Sequence, residues 1–71
     1  MSELNLFRLT LCDFYKKLGE KSFWNNDKAQ DIALEALGQD YLRAGNDKGD
    51  SVALEAATNE YLMRKSYMEV N

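Results

Sequence analysis

Near the start of the chain Leu4, Phe7, Leu11, Phe14 and Leu18 are spaced three and four residues apart. Positions so spaced fall on one side of a 3.6-residue turn, and this one has the form of a packing seam. The pattern predicts a helix over residues 3–18, with Ser2 suited to cap its start, Gly19 suited to end it and Tyr15 adjoining the seam. Phe7-Arg8-Leu9-Thr10-Leu11 also alternates with period two, as a strand does. The five-position seam and the lack of a second strand-like run favour helix.

Two further stripes follow. Ala29, Ile32, Ala33, Ala36, Leu37, Tyr41 and Ala44 predict a helix over residues 27–44. Val52, Ala53, Ala56, Ala57, Tyr61 and Met68 predict another over residues 50–67. Alanines at the centre of both let the backbones approach at the short end of the usual ~8–10 Å range. Leu34, Leu42, Leu54 and Leu62 lie beside the stripes and need cover, which the first helix offers to Leu34 and Leu54. Gly38 costs about 1 kcal/mol in a helix interior and marks a close backbone contact or a slight bend. Between the first two helices, residues 19–26 read as a loop in which Phe23 and Trp24 form a buried aromatic plug.

Sliding the chain against itself by twenty residues aligns these two helices. Asn26-Asp27-Lys28 falls on Asn46-Asp47-Lys48, Ile32-Ala33-Leu34-Glu35-Ala36 on Val52-Ala53-Leu54-Glu55-Ala56, and Asp40-Tyr41-Leu42 on Glu60-Tyr61-Leu62, with nine identical positions. Twenty residues suit one helix of about 14–16 residues and a short connection. Asn-Asp opens each unit with N-cap chemistry, Asp27 stands at capping-box spacing from Gln30, Asp50 or Ser51 offers a later start to the last helix, and Gly45 suits a left-handed C′ position. The expected fold is all-α: three helices up-down-up, an N-terminal helix packed on an antiparallel hairpin made of two 20-residue repeats.

Composition narrows the chemistry. The 71 residues include one Cys, no His and no Pro. An imidazole base, a Ser-His-Asp triad, a thiolate zinc cage and an intrachain disulfide are therefore excluded. Apolar burial supplies on the order of 110 kcal/mol. Ordering the chain costs about 107 kcal/mol, so the core is marginal by itself. No basic segment leads into a long apolar run and no stretch nears the ~20 apolar residues of a membrane span, so the expected setting is the cytoplasm, with no membrane contact. Residues 1–28 carry five basic against four acidic side chains, and residues 29–71 carry four against eight, for a net charge of −3.

The candidate sites follow from these exclusions. Trp24 with Phe23 is an aromatic anchor for a partner if exposed, and a core plug if not. Asp31 and Glu35 lie at i, i+4, with Glu55 at the repeat position of Glu35; without a pocket they form a solvated acidic face and not an acid/base pair. Tyr41 and Tyr61 are expected in the core with their hydroxyls reaching solvent. Cys12 is expected as a small buried hydrophobe. Asn46-Asp47-Lys48-Gly49-Asp50 fails as a calcium loop, because Ala44 and Lys48 fall where oxygen ligands are required. The residues offer no catalytic, cofactor or metal set.

Leu34, Leu37-Gly38, Tyr41 and Gly45 resemble the first helix of a tetratricopeptide motif, over at most residues 31–66. The small residue of the second helix comes about three positions late, at Ala53, and the closing Pro is absent. The resemblance implies protein binding; it does not assign the family. The expected function is a small non-enzymatic protein-binding module, an adaptor, inhibitor or regulatory subunit, with a homodimer as its nearest variant. Phe23, Trp24, Asp31, Glu35 and Glu55 are its candidate contact residues. The alternative is a nucleic-acid-binding regulator of helix-turn-helix type, suggested by residues 11–19. The helix that would read the groove carries Asp27, Asp31, Glu35 and Asp40, the wrong sign for phosphate.

Overall fold

Among the described residues of the computed structural model, four helices account for the regular structure: α1 (Leu4–Leu18), α2 (Lys21–Trp24), α3 (Asp27–Arg43) and α4 (Lys48–Val70). The described residues are 4–45 and 47–70, and no strand occurs among them. Ser2 and Asn46, read above as a cap and as a repeat lead-in, lie outside them, as does the side chain of Leu4.

The α1 seam is the centre of the core. Phe7, Phe14 and Leu18 are buried and Leu11 packs against them. Leu9, which belongs only to the period-two pattern, is 59% exposed. The seam therefore decides the element, because a helix hides the aromatic positions together where a strand would split them between two faces. At its end the amide of Gly19 donates to the Lys16 carbonyl and that of Glu20 to Lys17. The expected loop contains one more helical turn, α2, which seats Phe23 in the core; the plug is real but not irregular.

The caps shift by one residue from the expected scheme. Asn26, not Asp27, caps α3: its Oδ1 accepts from the Ala29 amide at 3.1 Å. Gln30 is consequently no capping-box partner and points inward. α4 begins at Lys48, earlier than Asp50 or Ser51, because Asp47 accepts the Gly49 amide with Oδ1 and the Ser51 amide with its carbonyl. Gly45 takes φ +87°, the left-handed conformation expected beyond the end of α3.

Both later helices are rotated from their expected stripes. The inward face of α3 holds Gln30, Ala33, Leu37 and Ala44, with Leu34 and Tyr41 half-buried, whereas Ile32 is 57% exposed and Ala36 lies outside. In α4 the inward residues are Asp50, Ala57 and Tyr61, while Val52, Ala56 and Met68 are exposed. Leu34 and Leu54 pack against the buried cluster, which turns both helices toward that side. A polar residue, Gln30 or Asp50, then stands where an apolar stripe has a gap. Leu42 and Leu62, expected to need cover, are 63% and 54% exposed. A Cβ on Gly38 would meet nothing within 4 Å, so no close backbone contact explains that glycine.

Contacts at the two ends of α1 tie the helices together. Near its start, the Phe7 ring lies 5.7 Å from that of Tyr41, and the Thr10 hydroxyl donates to Asp40. Arg8 Nε stands 3.9 Å from the buried carboxylate of Asp50. Near its end, the Phe14 ring lies 6.1 Å from Tyr61. There the Leu18 carbonyl accepts from Trp24 Nε1 and from the Arg64 guanidinium, each at 3.0 Å. Two donors, one cationic, suit a helix C-terminus whose carbonyls have no partner within the helix.

Candidate functional site

Trp24, the sequence's most prominent binding candidate, is spoken for internally. Its indole stacks on the Tyr61 ring at 5.6 Å and 15°, and its N–H serves the Leu18 carbonyl. Phe23 meets the edges of both rings and is 3% exposed, so it presents almost no surface to a partner. Tyr61 does not reach solvent as expected: its hydroxyl donates at 3.0 Å to Gln30 Oε1, and Gln30 Nε2 donates at 3.1 Å to the Phe23 carbonyl. These bonds close a buried polar circuit within an aromatic cluster. With both polar partners in low dielectric, such a circuit fixes the relative setting of α2, α3 and α4.

Among the described residues, shallow depressions flank the cluster. One, of about 290 Å³, is lined by Lys17, Glu20, Phe23, Asn26, Ala29 and Ile32. The other, of about 150 Å³, lies between Trp24, Asp27, Gln30, Lys65 and Met68. Lys65 also sets its ammonium 5.7 Å from the centre of the Tyr61 ring. The first is near the small end of the ligand-pocket range and the second below it, and neither gathers converging polar groups on an enclosed apolar floor. Among the described residues no group of three or more His, Cys, Asp or Glu side chains is placed to hold a metal ion, and no helix is long and apolar enough to cross a membrane.

The acidic candidates lie where the sequence puts them, on the outside. Asp31, Glu35 and Glu55 are all exposed. Cys12 is exposed too, contrary to expectation, because it lies on the far side of α1 from Phe14.

A different surface was missed by the sequence. Val52, Ala56, Met63 and Tyr67 fall within about 60° of one another on α4. Val52, Met63 and Tyr67 are 67%, 60% and 74% exposed. Arg64, about 60° round α4 from Tyr67, bonds the Leu18 carbonyl of α1, so α1 runs along the flank of α4 that borders this face. Tyr15, 43% exposed, lies about 100° round from Phe14 on the flank of α1 turned toward α4. Together these side chains make an apolar face along the outer join of α1 and α4. Its spacing of four, seven and four is visible in the sequence, but Val52 and Ala56 are absorbed there into the packing stripe through their likeness to Ile32 and Ala36.

No family model matches the chain, and no curated protein or solved structure matches it.

Proposed function

We propose that this chain is a small protein-binding module, an adaptor, inhibitor or regulatory subunit working in the cytoplasm through its helical surface. The observation that carries the reading is the apolar face of α1 and α4. The largest exposed apolar patch on a small monomer is typically about 300–600 Å² and often functional. Here the four large side chains alone expose about 500 Å². No reacting group is needed for such a role; what is needed is a rigid helix face, which the buried circuit around Tyr61 supplies.

The finer architecture belongs to the same proposal. The early part of α1 meets the later part of α3 and the start of α4, and the end of α1 meets Arg64. These contacts favour an up-down-up course, an N-terminal helix against an antiparallel hairpin. Two repeated units are favoured by burial: Gln30 and Asp50 are both buried, Leu34 and Leu54 both half-buried, Ile32 and Val52 both exposed. Against equal units stand the helix lengths, 17 and 23 residues, and starts that are offset by one from the repeat.

The test is affinity capture from the native host with wild type and two surface variants, Met63→Glu and Ile32→Glu, each checked for unchanged helical circular dichroism. Proteins retained by wild type and Ile32→Glu but lost with Met63→Glu support the reading. Identical retention by all three refutes it, and a gel shift of DNA at low salt would favour the nucleic-acid alternative instead.

A further inference from the structure

We infer that the α1–α4 face is a self-association surface, and that its occupant is the same face of a second copy of this chain, related by a two-fold axis. This rests on the binding-module reading and names its partner. A stable interface buries about 800 Å² per partner, of which roughly 60% is apolar. The exposed area of Tyr15, Val52, Met63 and Tyr67 is about 500 Å², which matches that apolar share.

Charge selects this face over the others. A two-fold interface sets each surface against itself, so a face with excess charge of one sign repels its copy. The outer side of α3 carries Asp27, Asp31 and Glu35 against Lys28 and Arg43, all exposed, and self-pairing there would set a net acidic surface against itself. Along the α1–α4 face the charged side chains of α4 are matched: Arg64 Nε bonds Glu60 at 2.9 Å. With the two α4 helices antiparallel, the Glu60–Arg64 pairs approach the axis, where either arginine can serve the other chain's glutamate. Val52 of one copy then faces Tyr67 of the other, and Ala56 faces Met63, an unbranched and adaptable side chain that shapes the contact.

Sedimentation equilibrium across about 1 to about 200 µM tests the inference on the whole chain. The expected result is a rise from 8.2 kDa toward twice that mass. Met63→Glu and Val52→Glu should each weaken association at least about tenfold while keeping wild-type helicity, because each buries an unpaired carboxylate in the interface. Ile32→Glu, on α3, should leave it unchanged. A wild-type chain that stays at 8.2 kDa throughout overturns the inference, as does a dimer disrupted by Ile32→Glu and not by the α4 variants. The capture experiment above reads a different partner, so a monomer that still retains proteins through Met63 removes the second copy and leaves the binding module standing.

Discussion

Removing the hydroxyl of Tyr61 should destabilise the fold without opening a cavity. Tyr61 and Gln30 are each 3% exposed, and the only change in Tyr61→Phe is loss of the donor to Gln30 Oε1. Water cannot easily replace it, so the cost is that of an orphaned buried acceptor, about 1–3 kcal/mol. At about 2 kcal/mol, a domain of this size should melt about 8–16 °C lower. Gln30→Leu orphans the other end of the same bond. It spares the Phe23 carbonyl, which still accepts from the Asn26 amide at 3.3 Å. The double variant places apolar groups against each other and should cost less than the two single changes added, with a coupling of about 0.5–3 kcal/mol. Thermal and urea unfolding followed by circular dichroism measure all four corners of the cycle. Additive single changes, or a Tyr61→Phe protein within about 0.5 kcal/mol of wild type, would refute the assignment of the circuit as a stabilising element.

Three other outcomes are expected. Asn26→Ala should cost about 1 kcal/mol in urea unfolding through loss of the α3 cap, and Asp27→Ala less; the reverse order would return the cap to Asp27. Gly38→Ala should raise stability by about 0.4–1 kcal/mol, since its added Cβ meets nothing, whereas Gly45→Ala should lower it by about 1 kcal/mol because of the positive φ. Thermal melts showing the same sign for both would contradict the helix end drawn here. In dilute solution Cys12 should react fully with a thiol reagent in the native protein, and reaction only after denaturant is added would show that it is covered.

The α1 seam was legible because its five apolar positions leave a helix one face to hide and a strand none. Gly45 was legible because a left-handed residue after a helix has few candidates. The rotation of α3 and α4 was not, and the reason lies in two residues. Gln30 and Asp50 occupy the inner faces of their helices, so an apolar stripe read from the sequence slides sideways to Ile32 and Val52. Their burial is tolerable only because Tyr61 and the Phe23 carbonyl reach Gln30, and because Arg8 stands near Asp50. Each of those partners comes from another helix.

The sequence by itself therefore determined the three long helices, within three residues at their ends, and the chemistry that is unavailable for want of histidine and paired cysteine. It also placed Asp31, Glu35 and Glu55 on the outside, where charge is cheapest to keep. Only the tertiary structure decided which apolar residues were left over. Periodicity fixes the angle between side chains within one helix but not the angle at which neighbouring helices meet it. That second angle set Gln30 and Asp50 inward, where Tyr61 and Arg8 stand near them, and left Ile32 and Val52 at the surface.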